Sequence, residues 1–560
     1  MNALDLIVMV VFAVLIFVIG LIFTRVGSKS GQAFFEAGGE TPWWINGLSL
    51  FISYFSAGTF VVWGSIAYKQ GLVANAIQVT MAVSGLLTAL FIAGKWKRTG
   101  AKTAAEYIGN RFNTGTQQFY TYLILVFSLV NTGAVLYPVG KMVSAATPLS
   151  LNTCIIIIGI IIVLYTAAGG LWAVLVTDVV QFVVLLAAVI IVLPAAFKEV
   201  HGLDAFIATA PPDFFNFFSK DYTFGFMLAF MIYQTVYIGG NWSYVQRYTS
   251  VANEKNAKKV AYLFAALYLV SPIIWMLPPM IFRVINPNLQ GLEPENAYML
   301  LCQKVLPAGL IGLVLSGMIS ATSSKANTTI NLAATVFAQD VYRKLIRPSA
   351  AEKEQILIAR LFTLIFGAGT IVIAILVPRA GGIVEVVLSI ASIAGSALFA
   401  PIIWSLYSKR QNAFSVVLVT IVSLSVNLFL KVISPSLLGL KLDRTTETVL
   451  GVGLPVCMLL FFEIYYHATG KATHTFVYPQ QLNTTYDVDP KSFDLHAAAM
   501  QQNKFGISVI GWSIGIIGGG IFLLGMFSRE EQIVKWVGLS IVLLGIFIGW
   551  LAFKMKLRKN

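Results

Sequence analysis

Charge is what this chain has least of. Of its 560 residues only 11% are Asp, Glu, Lys or Arg, while 58% are hydrophobic. A water-soluble chain of this length needs about a quarter charged residues to cover its surface. Much of the surface therefore faces something other than water, and lipid is the medium that fits. Histidine and cysteine are scarce as well. The four histidines (His201, His467, His474, His496) lie in connecting segments and form no HExxH or triad-like pattern. The three cysteines, Cys154, Cys302 and Cys457, are far apart and sit in or beside apolar runs. Their spacing excludes a disulfide framework and a Cys/His metal centre, so they read as small packing residues. There is no Walker-type glycine run, which excludes a built-in ATPase. A net charge of +14 would suggest nucleic acid in a soluble protein. Here the basic residues fill short gaps between apolar runs, without aromatic interleaving, so they read as membrane topology and no nucleic-acid partner is expected.

What is present is a succession of apolar runs long enough to cross a bilayer. They fall at about 4–25, 43–68, 72–94, 119–147, 152–168, 172–197, 222–247, 260–285, 307–340, 356–378, 382–407, 413–432, 446–466, 505–525 and 533–553, fifteen in all. Only helices satisfy every backbone group inside lipid over such lengths. The first run has no basic start and no small-residue cleavage site, and it is too long for a signal-peptide core, so it is expected to remain as a helix. With the N-terminus outside and the spans alternating, the inner gaps collect 24 of the 38 Lys and Arg residues, and with Lys325 and Arg360 inside spans 12 remain for the outer ends. A two-to-one bias sustained along the chain fits the positive-inside rule. The expectation is an N-out, C-in, multi-pass protein of the cell (inner) membrane.

Two spans carry helix-breaking groups at their middles. The second has Ser53, Ser56, Gly58 and Thr59; the seventh has Gln234, Gly239, Gly240 and Asn241. Irregular backbone at membrane depth is tolerated where it lines a cavity, while small residues also serve helix packing. A five-helix unit that starts at the second span restarts at the seventh. Because five is odd, the units are inverted, with binding at the broken first helix of each. The expected organisation is a leading helix (1–30) and a first part of the core over 43–247. That part includes the first repeat, about 43–197, and the start of the second, which spans 222–407. Peripheral helices (413–466), a cytoplasmic loop (467–504) and a C-terminal helical pair with a basic tail (505–560) follow. An oligomer is not required.

Charges inside spans are expensive and point to function. Asp178 lies two turns into the sixth span, and Lys325 lies in the ninth amid the densest hydroxyl run, SGMISATSSKANTTINLAATVF. An unpaired buried charge costs several kcal/mol, so the two are candidates to pair with each other.

Several motifs, in order, resemble the solute:sodium symporter family, its sodium/sugar cotransporters most. They are WWINGLSLFISYFSAGTF, TAAEYIGNRF, YTAAGGLWAVLVTDVVQ, QRYTSVANEKNAKK and NLAATVFAQDVYRKLI, spread over about residues 30–410. The resemblance implies an all-α, LeuT-like 5+5 inverted-repeat core with one leading helix and about four extra C-terminal helices, working by alternating access. It implies no cofactor beyond a coupling ion. By matching position, one sodium site would use backbone oxygens of Ile52 and Phe55 with Ala321 and Ser324. A further site would use Asp178 with Asn327 and Thr328. Solute contacts would be Ser56, Thr59, Gln78, Asn131 and Gln234, with Tyr237 as an inner aromatic gate. Tyr268 stands where sugar-binding relatives carry a lysine, and their tenth-helix glutamine has no match here.

Lys325 is the larger departure, since it falls on the second of two adjacent hydroxyl positions that ligate sodium in the family. An ammonium supplies only donors and a positive charge. Two unit charges ~4 Å apart cost about 4 kcal/mol at an effective dielectric of 20, which suppresses binding about a thousandfold. Lys325 could instead replace that sodium, bridging Asp178 and the carbonyls of Ile52 and Phe55, and proton coupling becomes the alternative. The expected function is a symporter for a small polar organic solute, a sugar or related compound, coupled to sodium. A proton-coupled or sodium-independent carrier and a solute sensor on a transporter scaffold are the rivals. No enzyme is expected, because the spans lack paired acids or a nucleophile–base pair. The matching solute positions contain no arginine, which argues against an obligate carboxylate substrate.

Overall fold

The computed structural model describes residues 2–27, 41–101, 103–166, 171–470, 490–527 and 532–554, and among these it contains helices and no strands. The leading helix is α1 (Ala3–Gly27). The first repeat comprises α2 (Trp43–Tyr54) and α3 (Gly64–Gln70), then α4 (Val73–Leu87), α5 (Thr114–Ala146), α6 (Leu151–Thr166) and α7 (Leu171–Glu199). The second comprises α8 (Phe224–Gly240) and α9 (Trp242–Thr249), then α10 (Glu254–Ile285), α11 (Leu310–Val336), α12 (Glu352–Leu376), α13 (Ile383–Ile390) and α14 (Ser396–Ser405). After the core come α15 (Ala413–Leu428), α16 (Arg444–Ala468), α17 (Pro490–Phe527) and α18 (Gln532–Lys554). Where they are described, the fifteen apolar runs coincide with helix. Ten described helices are long and apolar enough to cross a membrane, and the bent pair Trp43–Tyr54 and Thr59–Gln70 makes an eleventh span.

Lipid explains the outer faces. Val10, Val11 and Val14 of α1, Leu361 and Ile365 of α12 and Trp536 and Phe547 of α18 are all exposed, a pattern that water would penalise and hydrocarbon does not. Between helices, glycine lets backbones approach. A Cβ on Gly538 would stand 2.5 Å from Phe522 N, and one on Gly545 2.5 Å from Gly515 N, so α17 and α18 pack backbone to backbone.

Hydrogen bonds sort the connecting segments into two ends of the bundle. At one end Thr41 N donates to Ser250 O, Arg98 makes two 2.7 Å bonds to Glu254, and Arg111 donates to the carbonyls of Ser408 and Gln411. At the other, Tyr68 donates to Asn286 O, Ser219 to Gln70, and Tyr137 to Glu295, while Lys431 bridges Glu385 and Glu447. In each of these contacts the gaps that meet have the same parity, as spans that alternate in direction require. One boundary differs from expectation. The helix before the fourteenth span starts at Pro490, well inside the polar insert; of that insert, 471–489 lies outside the described residues. A hydrophilic stretch extends a helix readily once an apolar span has nucleated it.

Candidate functional site

The break in the second span positions everything else. α2 ends at Tyr54, where Phe55 turns extended (φ −88°, ψ 119°), and the chain restarts through a π-helical turn, Thr59–Trp63, with a 52° bend. Ser56 and Thr59 hold the restart. Ser56 N donates to Thr59 Oγ1 at 3.2 Å and Gly58 N to Ser56 Oγ at 3.2 Å. These hydroxyls do for the broken backbone what N-caps do for a helix start. Ala57 N reaches across to Thr322 Oγ1 on α11 at 3.4 Å. The last-turn carbonyls of α2, with buried Ile52 and Phe55, therefore end against α11 near buried Ala321, at a terminus that a helix does not satisfy by itself.

Beside this junction a buried charge relay joins three helices. Asp178, 1% exposed on α7, accepts from Ser324 Oγ at 2.5 Å and from Ser49 Oγ at 2.7 Å. Ser49 Oγ accepts in turn from Arg247 Nη2 at 3.3 Å, and Arg247 Nη1 donates to Ser243 O at 2.6 Å. Carboxylate, hydroxyl and guanidinium thus link α7, α2 and α9. Asn327 is buried one turn beyond Ser324. The Thr328 side chain lies outside the described residues.

The expected pairing of Lys325 with Asp178 is not found. Consecutive helical residues point about 100° apart, so a helix that turns Ser324 onto Asp178 turns Lys325 elsewhere. Lys325 faces a cavity of ≈ 540 Å³, counting its open mouth, whose wall includes Ser53, Ser128, Asn131, Tyr237 and Arg247 and no Asp or Glu. Among the described residues no hydrogen bond or ion pair reaches the Lys325 ammonium.

The solute positions divide. Asn131 and Tyr237 line the cavity, with the Tyr237 hydroxyl facing Asn131, Tyr244 and Asn241 and its ring against Phe399 and Phe127. Ser56 and Thr59 lie in the break. Gln234 accepts from Tyr54 OH at 3.2 Å. Tyr268 is packed into an aromatic cluster with Phe51 (5.1 Å) and Phe264 (4.7 Å). Gln78 is fully buried, with neither amide atom bonded to a partner among the described residues. Gln78 and Tyr268 are not in the cavity wall. The second break comes at Asn241, whose side chain caps α9 by accepting from Ser243 N at 3.0 Å. Gly239 and Gly240 stay helical and give close approach instead, since a Cβ there would meet Ile92 at 2.6 Å or Phe399 at 2.7 Å.

Ser49, Ser128 and Arg247 belong to the site without having been expected there. Ser49 precedes Ser53 by one turn, and Ser53 Oγ donates to its carbonyl at 2.7 Å, so helical spacing from the break was the available signal.

A broken first helix opposed by a hydroxyl-rich α11 invites comparison with known proteins. The model of the sodium:solute symporter family matches residues 34–421. The chain belongs to the sodium:solute symporter family. It is 28% identical to mouse sodium/glucose cotransporter 1 over 465 residues, 73% of this chain and 69% of that protein. It is 27% identical to bovine sodium/myo-inositol cotransporter 2 over 410 residues, 65% and 60% of the two chains. A substrate-bound, outward-open Na⁺-coupled sialic acid symporter superposes with a TM-score of 0.70 at 21% identity, covering 83% of this chain and 98% of that one. That likeness establishes the shared fold. The protein is a multi-pass membrane symporter with a LeuT-like core.

Proposed function

We propose that the protein moves a small polar organic solute of the sugar type down a sodium gradient's pull, by alternating access, in a cell membrane with its N-terminus outside. The observation that carries this reading is the Asp178 cluster. A buried carboxylate with two hydroxyls turned onto it, beside the open end of α2, supplies the oxygen-rich surroundings that a hard cation needs, its charge shared with Arg247 across Ser49. The proposed sodium ligands are Asp178, Ser324, Asn327 and Thr328, with the carbonyls of Ile52, Phe55 and Ala321 as the neighbouring set. Sodium bound there would lock α2 to α7 and α11. Its loss would free the broken helix, and a ligand that prefers one arrangement shifts the population toward it.

For the solute we assign Asn131 and Tyr237 in the cavity wall, with Ser56 and Thr59 in the break and Gln234 on α8; Gln78 and Tyr268, outside that wall, are not assigned to it. Hydroxyl and amide groups suit a polyol, since a buried donor or acceptor left unpaired discriminates strongly against the wrong solute. A second reading is favoured by one observation, the unpartnered Lys325 ammonium. As a tethered cation it would stand in for one bound sodium, leaving one ion or a proton to drive transport, although its ammonium faces the cavity and does not bridge the Ile52 and Phe55 carbonyls. Sugar uptake into proteoliposomes, with sodium and pH varied independently, separates the two. A solute sensor would bind without flux.

A further inference from the structure

The cavity wall holds two cations and no acid. Arg247 is 2% exposed and lines it. Its charge is matched by Asp178, which it approaches through Ser49, so the two make a neutral unit. Asp178 turns one oxygen to Ser324 and the other to Ser49, and neither to Lys325. Lys325 is then the charge left over, projecting among Ser53, Ser128, Asn131 and Thr329. A buried cation without a counter-charge is costly. Ser53 and Thr329 already donate to helix carbonyls, but the Asn131 amide, the Ser128 hydroxyl and the Arg247 Nε, which has no partner among the described residues, add donors and no negative charge. An unpaired ammonium with these donors beside it and no acid in the wall is the chemistry of an anion site.

We infer that the cavity binds a monovalent anionic group beside Lys325, and that the transported solute is an acidic sugar whose carboxylate meets that ammonium while its hydroxyls meet Asn131, Ser128 and Tyr237. This rests on the symporter reading and sharpens its solute class. Arginine was absent from the matching solute positions, but the fold brings Arg247 and Lys325 to the cavity from α9 and α11.

Glucuronate, glucose and chloride, each added to the purified full-length protein at constant sodium, test this by thermal protection. Glucuronate is expected to protect and glucose is not. Lys325→Gln should weaken half-saturation by glucuronate about tenfold or more, the loss of one charge-assisted contact, and Lys325→Arg should retain it. Lys325→Met replaces the Gln variant if that protein does not fold. Chloride protecting alone, with loss in Lys325→Gln, would support the anion site with a free ion as occupant. The inference is overturned if glucose protects as well as glucuronate, or if no anion protects the parent. Sodium-driven glucose uptake indifferent to Lys325 removes only the anion site. No sodium-driven uptake of either sugar removes the symporter reading beneath it.

Discussion

Ser324 donates a 2.5 Å hydrogen bond to Asp178, and that single contact fixes which way α11 faces. It commits one side of the helix to the carboxylate and sends Lys325 into the cavity. The site is thereby split into a cation-friendly half around Asp178 and a cation-bearing half around Lys325.

Removing the charge of Asp178 should remove sodium response. In Asp178→Asn the amide keeps the shape, but Arg247 is left buried without its counter-charge, a change worth about 3–5 kcal/mol. Sodium-dependent uptake is expected to fall at least about tenfold, and denaturant melts should shift to lower midpoints. An unchanged sodium dependence would show that the cation binds elsewhere.

Ser49→Ala and Ser53→Ala should differ although they are one turn apart. Ser49 mediates between Asp178 and Arg247, whereas Ser53 donates only to a helix carbonyl. Loss of the buried Ser49 hydroxyl should cost about 1–3 kcal/mol and raise the sodium concentration for half-maximal uptake. Ser53→Ala should leave that concentration nearly unchanged. Equal effects of both on sodium titrations would remove the relay.

Glu295 closes the opposite end. It is 3% exposed, accepts from Tyr137 OH at 2.6 Å and Ile383 N at 3.0 Å, and lies 3.7 Å from Lys141. It therefore ties α5 to the start of α13. Glu295→Ala should favour a form open at this end, read as longer distances between spin labels on the ends of α5 and α13. Unaltered label distances would mean that closure rests on the surrounding apolar contacts.

The leading helix is anchored through Asp5. Its carboxylate accepts from Gly309 N at 2.7 Å and Gly312 N at 3.1 Å, capping the start of α11. Gly312 has no room for a side chain, because a Cβ would stand 2.2 Å from Asp5 O. Asp5→Ala should cost about 0.5–2 kcal/mol, as lost helix caps do, and Gly312→Ala about 1–3 kcal/mol through overpacking. Thermal melts check both, and a neutral Gly312→Ala would place α1 away from α11.

The sequence made the spans readable because lipid demands long apolar helices, and it made the break near Ser56 readable because serine, glycine and threonine cluster there. Arg247 was harder to place. It counted among the basic residues of an inner gap, and only the turn of α9 after Asn241 folds it back onto Ser49. The Lys325–Asp178 pair failed for a local reason. Two charges in the sixth and ninth spans look like partners until helical phase is considered, and Ser324, the neighbour with the correct phase, took the carboxylate. Gln78 was singled out by resemblance, yet its buried amide sits outside the cavity wall, because a sequence does not specify how far one helix is rotated against the next.

The most direct measurement of the central claim is sugar flux in proteoliposomes under an imposed sodium gradient, with pH varied separately, for the parent and Lys325→Ser. The account predicts steep sodium dependence in the parent and weak pH dependence, with the substitution altering solute affinity more than sodium response. Accumulation that follows a proton gradient and ignores sodium, in the parent protein, would contradict it.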